Sequence, residues 1–160
     1  MNNVLTVHRM LLENGIQHEI VQLPRTITLA DQLPAALALP PRRCLAVRVY
    51  EVDDRYVAII VTADTVPPAE VVREFTGGQQ ARAAGEAEIS SVTGYAAGLV
   101  APLALPDEVP LYVDQALADS ADDGAVVYTA TGESGTALGI RLLDLLAGCA
   151  AKPAALSERQ

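Results

Sequence analysis

The chain has 160 residues, the size of one ordinary domain, and 51% of them are hydrophobic, which supplies a full core and argues against disorder. Eleven Lys plus Arg against twenty Asp plus Glu leave a formal net charge of -9, unsuited to a high-affinity, sequence-general nucleic-acid binder, which needs a basic face for the phosphates. With no Trp, one Phe and five Tyr, stacking platforms for bases are scarce and packing falls to Val, Leu, Ile and Ala.

No window approaches the roughly 18 uninterrupted apolar residues of a membrane span. His8, Arg9 and Glu13 interrupt the N-terminal apolar pattern, so it does not read as a signal peptide, and a cytoplasmic protein is expected. Cys44 and Cys149 lie far apart and form no CxxC or Cys/His ligand spacing, so two buried thiols are expected.

In chain order, Val4, Leu5, His8, Leu11 and Leu12 recur at helical spacing and Asn14-Gly15 supplies a stop, predicting a helix over residues 3–14. Residues 17–23 read as extended, ended by Pro24. A second helix is predicted from Thr28, capped by its hydroxyl and kinked or cut short by Pro34. Residues 44–51 and 55–62 are two β-branched runs around the turn Val52-Asp53-Asp54, a hairpin signature. Pro67-Pro68 suits the first turn of a helix running to Phe75 and stopped by Gly77-Gly78. A short strand over residues 79–83 and a helix over residues 86–92 follow, the latter with acidic residues in its first turn and Gly94 as its stop.

Residues 94–102, Gly-Tyr-Ala-Ala-Gly-Leu-Val-Ala-Pro, then place two glycines and a proline at fixed offsets in an apolar run. Strands are predicted over residues 111–114, 125–130 and 138–141, a closing helix over residues 142–147, and a polar tail that frays from Lys152 to Gln160. Hairpins and isolated helices alternate without a strict βαβ repeat, so the class is α+β with a mixed, curved sheet. Residues 1–150 are expected to form one domain and residues 151–160 a flexible tail.

Candidate chemistry is sparse. His8 and His18 belong to no HxH or HExxH pattern, so neither metal nor other cofactor is expected, and His18 reads as a surface or strand-edge residue. Gly132-Glu133-Ser134-Gly135 fails the nucleophile-elbow pattern because position 136 is Thr136; a turn is the simpler reading, although free N–H groups there could bind an anion. No phosphate-cradling glycine motif is present. Asp53-Asp54 and Asp122-Asp123 read as solvated turn carboxylates. By strand alternation Arg43 shares a face with Leu45, Val47 and Val49, where it either snorkels from the rim or meets a ligand.

The segment order, the run Pro41-Arg42-Arg43-Cys44-Leu45-Ala46-Val47, the GYxxGxVxP stretch at Gly94 to Pro102, and the later Val113-Asp114-Gln115-Ala116-Leu117 together resemble the YbaK/prolyl-tRNA synthetase-associated domain family over roughly residues 3–147. The resemblance implies an α+β domain with a barrel-like mixed sheet that hydrolyses the ester between a wrong amino acid and the 3′-terminal adenosine of tRNA. It implies catalytic roles for Gly98, whose loop presents backbone groups to the substrate, for Arg43 at the family's lysine position, and for Thr131 near the last strands. Substrate contact is carried onto Tyr95, Val100, Ala101, Pro102 and Asp114. A bare glycine admits close approach, and fixed N–H dipoles stabilise an oxyanion without a side-chain nucleophile.

Departures from the family pattern bear on activity. Arginine keeps lysine's charge but is a wide planar fork that does not deprotonate, and Ala101 stands where the family has a serine. The leading expectation is a trans-acting deacylase for a small amino acid such as alanine or cysteine on tRNA(Pro), with transient contact to the aminoacyl-tRNA 3′ end and capture through a synthetase. The alternative is a binding module that keeps the fold and pocket without hydrolysis.

Overall fold

The computed structural model describes residues 1–156, with the backbone alone for residues 122 and 123, so the side chains of the Asp122-Asp123 pair lie outside the described residues. Helix α1 (Val4–Glu13) starts at Asn3, whose side chain accepts from the N–H groups of Leu5 and Thr6. Strand β1 (Glu19–Gln22) follows. The predicted second helix splits into a 3₁₀ turn (Ala30–Gln32) and α2 (Leu33–Leu37), with Pro34 tolerated in the first turn. Thr28 is not its cap; Gln32 Oε1 instead accepts from the N–H groups of Thr28 and Leu29 at 2.7 and 3.2 Å.

A second 3₁₀ turn (Pro41–Arg43) leads into the hairpin of β2 (Leu45–Val52) and β3 (Arg55–Thr62). Asp53 and Asp54 both take the left-handed backbone of its turn, with φ of 50° and 70°. Asp53 is more than a solvated carboxylate: it accepts from the N–H groups of Gln79 and Gln80, both at 2.9 Å, which holds its carboxyl below the ordinary range. Helix α3 (Ala69–Thr76), strand β4 (Ala81–Ala83) and helix α4 (Glu86–Thr93) lie close to their predicted positions. Strand β5 (Leu111–Asp114) runs into α5 (Gln115–Asp119) and a 3₁₀ turn ending at Asp123; β6 (Val126–Thr129), β7 (Thr136–Arg141) and α6 (Leu142–Cys149) follow.

The expected frayed tail begins instead with a strand, β8 (Lys152–Ala154), parallel to β5, and Ala154 and Leu156 are buried. A polar composition misled here because the open edge of β5 offers backbone partners that local sequence does not reveal.

The strands form two sheets, β1-β7-β6 and β4-β2-β3-β5-β8, linked by an isolated parallel bridge between Cys44 and Tyr128. The fold is α+β. Its largest core gathers Leu11 of α1, Leu45 and Ile60 of the hairpin, Tyr95, Val100, Leu138 and Leu145. A second cluster joins Ile27, Leu33, Cys44, Leu99 and Ala137 at the junction of the sheets. Cys44 is fully buried, and desolvation pushes its thiol up to about 11; Cys149 is half-buried, and both cysteines are free. Among the described residues, no helix is long and apolar enough to cross a membrane, and no group of three or more His, Cys, Asp or Glu is gathered to hold a metal.

Candidate functional site

Strand β4 is only three residues long and pairs with Tyr50–Val52, and the N–H of Ala84 adds one bond to Val49 O. Nearer the start of β2 that edge has no partner in its sheet among the described residues, and a cavity of about 210 Å³ lies there. Ala46, Val47 and Val49 form one wall, Ala97, Gly98 and Val100 another, and Asp31, Arg48 and Glu86 supply the charges. Its size falls below the roughly 300–1,000 Å³ of ordinary small-molecule pockets.

The loop at Gly98 is fixed by its neighbours. Leu99 enters the second core cluster and Val100 the largest one, so consecutive side chains anchor it in two places. Gly98 O accepts from the N–H of Ala30 at 2.8 Å, and a Cβ at position 98 would stand 2.1 Å from Thr28 O. Here glycine admits the approach of the chain's own 28–30 segment. Among the described residues, the amides of Ala97 and Gly98 donate to no backbone carbonyl.

The remaining site expectations divide. Val100 lines the cavity beside Gly98, whereas Ala101 and Pro102 are buried and do not line it, and Pro102 borders a separate depression with Leu103 and Lys152. Tyr95 is fully buried, and desolvation raises its phenol pKa. Thr131 is also fully buried; its hydroxyl bonds Thr136 Oγ1 at 2.8 Å and accepts from Glu133 N at 3.2 Å, so it braces the turn between β6 and β7. That turn, Gly132 to Gly135, uses carbonyls to hold other chain: Ser134 O accepts from Ile27 N–H and Gly135 O from Leu23 N–H, each at 2.9 Å. Asp114 caps α5, accepting from Ala116 N at 3.4 Å, and does not line the cavity.

Arg43 also stands outside the cavity. It belongs to the 3₁₀ turn before β2, so strand alternation does not extend to it, and its Nε donates to Val126 O at 2.7 Å. The cation on the cavity wall is Arg48, which the sequence reading missed; an arginine within the apolar run of β2 was the available signal. Its Nε donates to Thr65 O at 3.0 Å, Nη2 to Ala63 O at 3.1 Å, and Nη1 to Asp31 Oδ1 at 2.8 Å. His18 is no bare strand-edge residue either: Nε2 meets His8 Nδ1 at 2.8 Å and Nδ1 donates to Ile16 O at 2.8 Å.

The profile of the aminoacyl-tRNA editing domain family matches residues 25–147. A proline–tRNA ligase of Bacillus pumilus is 30% identical over 96 residues, which cover 60% of this chain and 17% of that protein, so the chain spans under a fifth of its relative's length. Among solved structures, a hypothetical protein superposes with a TM-score of 0.82 at 22% identity, covering 95% of this chain and 99% of the other. A candidate trans-editing enzyme for prolyl-tRNA synthetase gives a TM-score of 0.79 at 23% identity, covering 96% of this chain and 95% of that one. At such identities the superpositions speak for the fold, and the profile match carries the assignment: the chain belongs to the aminoacyl-tRNA editing domain family.

Proposed function

We propose that this protein is a deacylase acting in trans on mischarged tRNA(Pro), removing a small amino acid such as alanine or cysteine. The carrying observation is the small, largely aliphatic cavity against the Gly98 loop, beside two amides without backbone acceptors among the described residues. Water attacks the ester carbonyl carbon, the carbonyl oxygen gathers negative charge, and preorganised N–H groups at Ala97 and Gly98 stabilise it. The bond from carbonyl carbon to ribose oxygen then breaks, and the ribose hydroxyl keeps a proton that came from water. No side-chain nucleophile is required.

Arg43 is assigned to a phosphate of the acceptor end. Its Nε is bonded, whereas its two terminal nitrogens have no hydrogen-bond partner among the described residues, leaving a planar fork available to an anion. A net charge of -9 makes unassisted tRNA capture weak, so delivery through a synthetase is part of the reading, as the relationship to a proline–tRNA ligase supports. A second reading, a pocket kept for binding without hydrolysis, is favoured by Arg43 lying outside the cavity.

Deacylation of Ala-tRNA(Pro) and Cys-tRNA(Pro) by the wild type, beside Arg43→Ala and Arg43→Lys, separates the two. Wild-type hydrolysis with a raised KM in Arg43→Ala supports the deacylase with a phosphate-holding arginine. Absence of wild-type hydrolysis, with activity gained in Arg43→Lys, supports the binding module.

A further inference from the structure

A guanidinium in the middle of β2 carries a desolvation cost unless its N–H groups are satisfied. Arg48, whose side chain is 17% exposed, meets that demand with bonds to Thr65 O, Ala63 O, Asp31 Oδ1 and, at 3.4 Å, Asp31 Oδ2. Four donations leave one of its five N–H groups, so Arg48 has little capacity for a substrate anion. Because two of its partners are backbone carbonyls just after β3, the guanidinium stays in place whatever Asp31 does.

Asp31 is the held partner. Its carboxylate is 42% exposed on the cavity, and Arg48 occupies only two of its roughly four acceptor positions. The Gly98 loop fixes the segment that bears it, since the neighbouring residue, Ala30, donates its N–H to Gly98 O. The charged side chains on the cavity are two carboxylates, Asp31 and Glu86, and one guanidinium, Arg48, a balance of one negative charge. This polar wall suits a cationic ligand group, and an aminoacyl ester brings one, its protonated α-amino group.

We propose that Asp31, positioned by Arg48, receives the α-ammonium of the aminoacyl group, so that the site accepts esters with a free amine and rejects N-acylated ones. The inference rests on the deacylase reading for its substrate and adds a specificity: free aminoacyl-tRNA is taken, while formylated or peptidyl-tRNA is spared. Acylation removes the charge and adds bulk where Asp31 stands, so the discrimination has both an electrostatic and a steric source.

The test compares Ala-tRNA(Pro) with N-acetyl-Ala-tRNA(Pro) as substrates for the wild type, Asp31→Asn and Arg48→Lys, with folding checked by circular dichroism. In parallel, calorimetry measures binding of 3′-alanylamino-3′-deoxyadenosine, an amide-linked mimic of the ester, and of its N-acetyl form. The wild type is expected to prefer the free amine by at least about ten-fold, the scale of one charge-assisted hydrogen bond, in kcat/KM and in binding. Asp31→Asn, nearly isosteric, should lose most of that preference. Arg48→Lys should raise KM for the free-amine substrate by a larger factor than for the N-acetyl substrate, whereas general loosening of the fold would raise both alike.

Equal wild-type handling of the free and acetylated forms, or an undiminished preference in Asp31→Asn, overturns the proposal. If the wild type hydrolyses neither ester, the deacylase reading fails by itself; binding of the amide mimic then decides the role of Asp31. A free-amine preference lost in Asp31→Asn upholds it, and equal or absent binding of the two forms rejects it.

Discussion

The phenol of Tyr95 donates a 2.5 Å hydrogen bond to the carbonyl of Leu103, eight residues on, closing the Gly98 loop with a buried cross-brace. Both residues are fully buried, so this bond fixes the two ends of the loop relative to each other from beneath. Tyr95→Phe keeps the ring and removes the donor, stranding a buried acceptor. It should cost about 1–3 kcal/mol of stability, read as a lower urea midpoint at unchanged m-value.

Gly98→Ala tests whether the loop needs glycine for packing. The added methyl would stand 2.1 Å from Thr28 O and 2.7 Å from Leu29 Cδ2, so the 28–30 segment must move and carry Asp31 with it. Overpacking of this kind costs about 1–3 kcal/mol. Because Asp31 is displaced with it, deacylation should fall by more than the stability loss accounts for, as assayed at a temperature where the variant remains folded.

Glu88 supplies an acid-side pH dependence. Arg82 first, then the N–H of Gly85 and the hydroxyl of Tyr56, hold its carboxyl well below the ordinary 4.5. A folded-state value below the unfolded one means that the stabilisation is complete above the unfolded value and fades as pH falls from about 4.5 toward the folded value. Urea midpoints measured across the acid range should show the wild type losing its advantage over Glu88→Gln in that window, with the gap constant at higher pH.

Removing residues 151–160 should destabilise the protein, although their composition reads as a dispensable tail. Deletion strips the parallel partner from β5 and removes buried Ala154 and Leu156. Burial of a leucine side chain contributes about 1.5–3 kcal/mol, and each kcal/mol moves Tm by about 2–4 °C at this chain length. A truncated chain melting within a degree of the full one would contradict the role of β8.

Strong local patterns located most elements. The β-branched runs and the two-aspartate turn set the β2–β3 hairpin, the 3.6-residue spacing with the Asn14-Gly15 stop set α1, and Gly94, with φ of 78°, ended α4 where expected. Strand β8 escaped because its stability comes from pairing with β5 more than from its own few residues. Thr28 looked like a cap from its type, yet Gln32 reached back to the same backbone from within the 3₁₀ turn.

The sequence by itself determined the α+β class, the hairpin and the family loop at Gly98, since periodicity, turn chemistry and a fixed glycine–proline spacing act over neighbouring residues. Which charges meet that loop was decided only in three dimensions. Arg43 lay closest to the family pattern, yet a 3₁₀ turn removes it from the strand's alternation and turns it to Val126 O. Arg48 and Asp31, 17 residues apart, come together because the 3₁₀ turn Ala30–Gln32 packs against β2. Long-range packing places side chains through contacts that local propensity does not encode, and here it set the polar wall of the cavity.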